Sequence, residues 1–328
     1  MRNEGPFIVE WVAWQKMLGF KDILVLYNNC TDNSPKLLAL LQKAGIIIAQ
    51  SHQPPKGVRA QRWAFDQVRA HPLVETAEWL LLCDVDEFLV IHKGDGRLAD
   101  LLPTGKPPFA GMAVHWRVFG DNGVEDWQDG FVRHRFTRAA WHIAKQNFNF
   151  KSLIYRPRRF REFGTHSPHV WLGDALGEGK WGEGANHWVL SDGRKFAEFD
   201  PDDNRVRGTA PDLITHEVAQ MNHYILQSRE RFNMKKGVAK AAGGVDRHTD
   251  DFYQRFNKND DVDHSAMRYE AQFKVEHDKL TAIPGVLRLH HLCCADFIST
   301  ARMKRGQDPL KDKRYIYHRA QATALPRS

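Results

Sequence analysis

Apolar and polar positions along the first hundred residues predict helices and short strands in alternation. Apolar residues at helical spacing run from Phe7 to Leu18, and Gly19 ends this helix. Apolar runs of strand length lie at 22–28, 45–50 and 79–91, with helical patterns at 34–44 and 58–70 between them. We also expect Asn3 to cap the first helix.

This order of elements predicts an α/β fold. The strands are short and lack period-two alternation, which favours a mainly parallel central sheet covered on both faces. Such sheets bind ligands beyond the carboxyl ends of their strands, where this chain has YNN (27–29) and CDVDE (83–87). A sheet of this kind normally begins with a strand, but only two residues precede Asn3, the expected cap of the first helix. Whether a first strand is missing from the printed sequence stays an open question.

Composition places the chain among soluble globular proteins. Of its 328 residues, 42% are hydrophobic and 27% are charged, which excludes a disordered chain or a coiled coil. Its apolar stretches are far shorter than the ~20 residues of a membrane-spanning helix, and the N-terminus has no apolar signal core. The four cysteines form no disulfide framework. These features predict a cytoplasmic protein.

Positive charge is concentrated at the C-terminus. Residues 301–328 contain eight Lys or Arg against two Asp, which accounts for most of the net charge of +7. One interpretation is a solvated, partly frayed tail. The other is peripheral contact with an anionic membrane at its inner face or with a polyanionic partner. No nucleic-acid-binding motif is present, so we expect no nucleic-acid partner.

Acidic residues interrupt the third apolar run. Asp84 and Asp86 form a D-x-D pair directly after WLLLC (79–83), and such carboxylates can hold a divalent cation beside a diphosphate. D-x-D by itself is weak evidence, and it recurs at 200–202 and 261–263, in polar stretches typical of solvated loops. The sequence HHLCC (290–294) superficially suggests zinc, but its tight spacing instead favours a buried, thiol-rich strand.

Several segments together resemble the glycosyltransferase family 2 group close to family 92. They are MRNEGPFIVEWVAWQKMLGF (1–20), DILVLYNNCTDNS (22–34), CDVDEFLVI (83–91), HWRVFG (115–120), KSLIYRP (151–157) and MNHYILQSRERFNMKKG (221–237). The chain departs from many family 2 members at 28–29, where Asn-Asn replaces the usual acidic turn.

The resemblance implies a GT-A-like nucleotide-sugar-binding fold over residues 1–240. Its donor half would be about 1–105 and its acceptor half, which is rich in loops, about 106–240. Residues 241–328 would form a C-terminal extension that is helical and basic at its end. The cofactor it implies is Mn²⁺ or Mg²⁺.

The resemblance also implies roles for individual residues. Asp86 would bind the cation directly, with Asp84 facing the ribose and the metal, and His223 would be a further metal or diphosphate ligand. The other donor-binding positions would be Asn3, Glu4, Asn28, Asp32, Arg59, Gln61, Lys235 and Lys236. For several of these a plain structural role is an equal or stronger alternative.

The predicted reaction is transfer of a hexose from a nucleotide-sugar, with a UDP-sugar as the expected donor, to a hydroxyl of a glycan or lipid-linked acceptor. The resemblance suggests inversion, which needs a base on the opposite face of the sugar. Asp121, Glu125 and Asp126 are unranked candidates for that base. Two alternatives stay open: a sugar nucleotidyltransferase, and a non-catalytic glycan-binding protein that uses the tryptophans without a metal.

Overall fold

A computed structural model describes residues 1–203, 206–237 and 245–326, and these residues form a mixed α/β structure. The α-helices are α1 (Ile8–Leu18), α2 (Ser34–Lys43), α3 (Ala60–Arg69), α4 (Pro72–Thr76), α5 (Leu98–Leu101), α6 (Val132–Arg135), α7 (Arg229–Lys235), α8 (Asp250–Phe256), α9 (Glu270–Thr281), α10 (Val286–Lys304) and α11 (Lys313–Ala324). The strands are β1 (Leu24–Tyr27), β2 (Ile48–Ser51), β3 (Trp79–Leu81), β4 (Glu87–Ile91), β5 (Gly111–Val118), β6 (Arg138–Ala139), β7 (Phe150–Tyr155), β8 (Phe160–Phe163), β9 (Pro168–Trp171), β10 (Trp188–Leu190), β11 (Ala219–His223) and β12 (Asp261–Val262).

The chain divides into two compact units. The first unit comprises Met1–Gln53, Phe119–Ala139 and Tyr224–Ser328, and the second comprises Pro54–Val118 and Ala140–His223. The predicted boundary at residue 240 lies outside the described residues.

The second unit is built on a six-stranded mixed sheet. The strand order is β3-β7-β5-β11-β4, and β10 also pairs with β5. Strands β10 and β11 run parallel to β5, whereas the β3–β7, β7–β5 and β11–β4 pairs are antiparallel. The prediction of a mainly parallel central sheet is therefore wrong for this sheet.

The apolar runs of these strands indicate burial on both faces, but they do not distinguish parallel from antiparallel neighbours. Every residue of β4, β5, β7 and β11 is buried. A strand covered on both faces loses its period-two alternation whichever way its neighbours run. The run at 79–91, interpreted as one interrupted strand, is in fact β3 and β4, which lie at opposite ends of the sheet order.

A tight aromatic contact packs one face of this sheet. The Trp188 ring stacks on Phe199 with centroids 4.3 Å apart, and it also lies against Gly111 in the neighbouring strand. A Cβ atom at position 111 would come within 2.1 Å of the indole ring. Only glycine allows the large side chain to lie flat across β5 at this point.

In the first unit, the N-terminal helix is buried on all sides rather than along one stripe. Nearly every residue of α1 is buried, and Trp14 packs edge-on against Tyr269 at 5.0 Å. Gly19 ends the helix in the left-handed conformation, as predicted. Asn3 does not cap it: the Asn3 side chain instead exchanges two hydrogen bonds with Thr31, at 2.8 and 3.0 Å.

The C-terminal part of the same unit is helical and packed. HHLCC belongs to the 19-residue helix α10, so the predicted buried strand is wrong at this position. The basic segment continues as α11 and is not a frayed tail. Within the described residues, no helix combines the length and apolar character needed to cross a bilayer.

A buried carboxylate holds α11 in place. Glu230 has a side chain only 1% exposed, and it accepts hydrogen bonds from Arg314 at 2.8 and 3.2 Å and from the Trp127 backbone at 2.9 Å. Arg302 and Arg314 both bond to Asp312, the residue that caps α11. Much of the C-terminal positive charge is thus paired within the unit.

We predict that Arg314→Ala lowers the free energy of unfolding by about 3 kcal/mol, because it leaves Glu230 buried with a weaker partner. Arg319→Ala is the control, because Arg319 lies on the same helix and is exposed. It should change the free energy of unfolding by less than about 0.5 kcal/mol. Urea unfolding followed by circular dichroism measures both. Equal stability of the two variants would contradict a structural role for the buried pair.

Candidate active site

Three acids and a histidine meet at one edge of the six-stranded sheet. The chain leaves β3, passes Asp84 and Asp86, and enters β4 at Glu87. Because β4 runs antiparallel to β11, Glu87 lies opposite His223, the last residue of β11. The Nε2 atom of His223 lies 3.8 Å from Oδ1 of Asp86. The sheet register thus brings together two predicted metal ligands far apart in sequence.

A buried lysine lies beneath the acids. Lys151, in β7, has a side chain 3% exposed, and its Nζ lies 3.0 Å from Glu87 Oε2 and 3.3 Å from Asp84 Oδ2. Glu87 Oε2 also accepts a 2.8 Å hydrogen bond from the backbone N–H of Asp84. These bonds hold the turn between β3 and β4. The Asp84 side chain is half exposed, whereas that of Asp86 is 10% exposed.

The charges in this cluster shift one another's pKa values. Burial raises the pKa of Glu87 to about 8 despite the attraction of Lys151. For Asp84, desolvation acts to raise the pKa, but the charges of Lys151 and His223 outweigh it and lower the value to about 2. Burial acts to lower the pKa of Lys151, yet Asp84 and Glu87 hold it above its usual range. Asp84 is therefore ionised near neutral pH.

Aromatic rings line the same cluster. Trp116 lies in β5. The centroid of its ring is 4.2 Å from the ring centroid of His223 and 5.2 Å from that of His166. His166 Nδ1 bonds to the carbonyl of Phe150, and burial lowers the pKa of His166 to about 4. His166 is thus neutral near pH 7, and Trp116 packs between the two imidazoles.

Two further predicted donor contacts belong to the same unit. Arg59 and Gln61 lie at the start of α3, and both are exposed. Of the other D-x-D pairs, 200–202 lies in a turn, as predicted, where Asp200 and Asp202 accept hydrogen bonds from backbone N–H groups. The loop predicted at 261–263 is wrong in part, because residues 261–262 form the short strand β12.

The other predicted donor contacts belong to the first unit. Asn28 follows β1 and is half-buried. Asp32 accepts hydrogen bonds from the backbone and hydroxyl of Ser34 at the start of α2, at 3.1 and 2.6 Å. The side chain of Asn3 is engaged with Thr31, as described above. Asn3 and Asp32 therefore each have a local structural role.

The predicted basic pair is engaged in ion pairs inside the first unit. Glu4 bonds to Arg231 at 2.9 Å and lies 3.7 Å from Lys235. Lys236 pairs with Asp250 at 2.8 Å. These contacts account for the positions of Glu4 and both lysines without a bound ligand.

The three candidate bases also lie in the first unit and differ in their contacts. Asp121 is buried and accepts hydrogen bonds from Tyr253 Oη and from a backbone N–H two residues on. Asp126 is exposed and pairs with Arg305 at 3.1 Å. Glu125 is exposed.

Sequence reasoning missed Lys151, the residue that ties the acids to the sheet. It stands in the run FKSLIY (150–155), where a single cation interrupts apolar strand residues. A lysine inside a two-sided buried strand needs a buried partner, because an isolated charge is too costly there. That signal was available in the sequence, but it does not by itself name the partners.

Comparison with models of known protein families gives one match. The model of glycosyltransferase family 92 matches residues 3–181, more than half of the chain. The chain therefore belongs to glycosyltransferase family 92. The match includes the acids and Lys151 but ends before His223. No curated protein matches the chain, and no solved structure matches it.

Membership of family 92 supports a glycosyltransferase, an enzyme that binds a sugar donor and an acceptor. It thus supports the transferase reaction predicted from the sequence. Family 2 membership, a GT-A fold, the donor and the cation go beyond this match.

We predict that Lys151→Met destabilises the protein by about 2 kcal/mol, because the buried Glu87 carboxyl loses its hydrogen-bond donor and Asp84 loses its ion-pair partner. Replacing the Glu87 carboxyl as well by an apolar side chain, in Glu87→Leu/Lys151→Met, should recover part of the loss. Urea unfolding of the two single variants and the double variant gives the coupling free energy between Lys151 and Glu87.

The matched control is Lys195→Met, since Lys195 is an exposed lysine of the same unit. Its effect should stay below about 0.5 kcal/mol. If Lys151→Met behaves like this control, the buried pair does not hold the acidic turn.

Proposed function

We propose that this family 92 protein transfers a hexose from a UDP-sugar to a hydroxyl of a glycan or lipid-linked acceptor, with inversion. The donor diphosphate binds in a GT-A manner beside a Mn²⁺ or Mg²⁺ ion held by Asp84, Asp86 and His223. The observation that carries the proposal is the approach of Asp86 and His223 at the strand edge, at 3.8 Å. Membership of a glycosyltransferase family supports the reaction class.

Two of the residues present, Asp86 and His223, are close enough to share a hard divalent cation. Mg²⁺ lies about 2.0–2.1 Å from its ligands, so two ligands of one ion are at most about 4.2 Å apart. The 3.8 Å between Asp86 Oδ1 and His223 Nε2 is within this limit, and it is longer than a hydrogen bond. Carboxylate oxygens dominate the donor set, as such cations prefer.

The chain's own residues prepare this site before any ligand arrives. Lys151 bonds to Glu87 and holds Asp84 by an ion pair, so the acidic side chains are oriented by the sheet rather than by the cation. Trp116 packs on His223 and fixes the plane of its imidazole. When bound, the cation would neutralise negative charge that develops on the leaving diphosphate.

The remaining assignments stay predictions. They are the acceptor base among Asp121, Glu125 and Asp126, and the donor contacts of Asn3, Glu4, Asn28, Asp32, Arg59, Gln61, Lys235 and Lys236. A cytoplasmic location and peripheral contact of the basic C-terminus with an anionic membrane also stay predictions.

We expect Asp86→Asn to lower the rate of UDP release from a UDP-sugar by on the order of 10²–10³-fold, because the amide keeps the shape but loses the charge. Asp84→Asn should act in the same direction. EDTA should abolish the activity of the unmodified protein, and Mn²⁺ or Mg²⁺ should restore it. Steady-state assays against a panel of UDP- and GDP-sugars measure these effects.

Asp200→Asn is the matched control, since Asp200 belongs to a D-x-D pair in an exposed turn of the same unit. It should leave the rate unchanged. Full activity in EDTA would end the proposed role of the metal.

We expect His223→Gln to weaken UDP binding in the presence of Mn²⁺ by about tenfold or more, since it removes an imidazole ligand beside Asp86. Isothermal titration calorimetry measures the affinity, and a thermal melt measures stability. His92→Gln is the control, because His92 follows the opposite end of β4 and bonds to Gln220. A large loss of stability with unchanged UDP affinity would show that His223 only packs the core.

A further inference from the structure

A second group of metal-ligating side chains lies in the first unit, on the helix that contains HHLCC. His290 and Cys294 are one helical turn apart on α10, so their side chains share a face. Asp129, from the segment before α6, faces them. Their ligand atoms all lie within 4.8 Å of one another. The sequence argument against zinc was the tight spacing of HHLCC, but on a helix residues four apart lie side by side on one face.

The measured spacings match the edges of a tetrahedral zinc site. Zn–N and Zn–O distances of about 2.0 Å and Zn–S distances of about 2.3 Å put N and O ligands about 3.3 Å apart, and N and S ligands about 3.5 Å apart. His290 Nε2 lies 3.1 and 3.2 Å from the two Asp129 oxygens and 3.5 Å from Cys294 Sγ. One imidazole nitrogen thus faces both of the other ligands at the required separations.

Charge and burial also suit a soft divalent cation. Cys294 is fully buried, and the side chain of His290 is 16% exposed. Zn²⁺ with one carboxylate and one thiolate is electrically neutral, which lowers the cost of burying the group. Thiolate and imidazole ligands favour zinc over the Mg²⁺ or Mn²⁺ suited to the Asp84–Asp86 site.

Two further imidazoles lie beside this group. His291, next to His290 on α10, and His318, on α11, have ligand atoms within 4.8 Å of Asp129. Their Nδ1 atoms are 2.9 Å apart, which is the length of a hydrogen bond rather than of a tetrahedral edge. They are neighbours of the site, and the edges that match join His290 to Asp129 and to Cys294.

We propose that Asp129, His290 and Cys294 bind a Zn²⁺ ion, with water in the fourth position. The Cys294 thiol loses its proton to solvent as the Zn–S bond forms. Burial raises the pKa of this thiol, so it stays protonated until the ion binds. The bound ion joins the segment before α6 to α10 and stabilises the folded unit by mass action.

The test measures zinc itself on the purified full-length protein. After dialysis against a weak chelator, mass spectrometry of the metal should find one zinc per chain. Replacement by Co²⁺ should give the intense visible bands of tetrahedral cobalt and a thiolate charge-transfer band. His290→Ala and Cys294→Ser should each lose stoichiometric zinc, and Cys294→Ser should also lose the charge-transfer band. Zinc should raise the melting temperature of the unmodified protein but not that of His290→Ala.

Each variant has a matched control outside both groups. Cys293→Ser changes the neighbouring buried cysteine, and His277→Ala changes a partly exposed histidine of α9. Both should keep zinc. His290 is partly exposed, so His290→Ala decides the outcome if Cys294→Ser fails to fold. The proposal is overturned if the unmodified protein binds no zinc on titration, or if His290→Ala binds it as tightly as His277→Ala does.

This result is independent of the transferase assay. Asp86→Asn should keep its zinc even if it loses activity, since Asp86 belongs to the other unit. A protein that binds no zinc would leave the Asp84–Asp86 proposal unchanged. Full transferase activity in EDTA would likewise leave the zinc proposal unchanged.

Discussion

The ammonium group of Lys151 is the constraint on which the candidate active site depends. A buried lysine is stable only with carboxylate partners at short range, and here Glu87 and Asp84 supply them at 3.0 and 3.3 Å. Asp84 and Asp86 lie on the turn that joins β3 to β4. This turn comes close to the start of β7, where Lys151 lies. The ion pair therefore positions the acids before any donor or cation binds.

The same turn determines where His223 lies. Since β4 enters antiparallel to β11, its first residue meets the last residue of β11, and the imidazole comes beside Asp86. A parallel β4 would put the opposite end of that strand beside His223. The mixed direction of the sheet, which the sequence did not predict, is thus the feature that brings His223 beside Asp86.

The two proposed metal sites differ in chemistry in the way their elements allow. A strand edge presents acids on a tight turn and suits a hard cation that shares its ligands with a diphosphate. A helix presents residues four apart on one face and suits a compact set with imidazole and thiolate. The acids after β3 are therefore proposed to bind a hard cation, whereas the histidine and cysteine on α10 are proposed to bind zinc.

The sequence by itself determined the order of the early elements, the position of the acids and a relation to glycosyltransferase family 92. Helix periodicity, Gly19 and the apolar runs reflect local conformation and burial, which neighbouring residues largely decide. Tertiary structure alone decided the strand directions and the partners of Lys151, because two-sided burial looks the same in parallel and antiparallel sheets. It also decided that HHLCC is helical, which aligns His290 with Cys294, and that Arg314 is buried against Glu230. These contacts join residues far apart in the chain, and their geometry follows from packing rather than from local pattern.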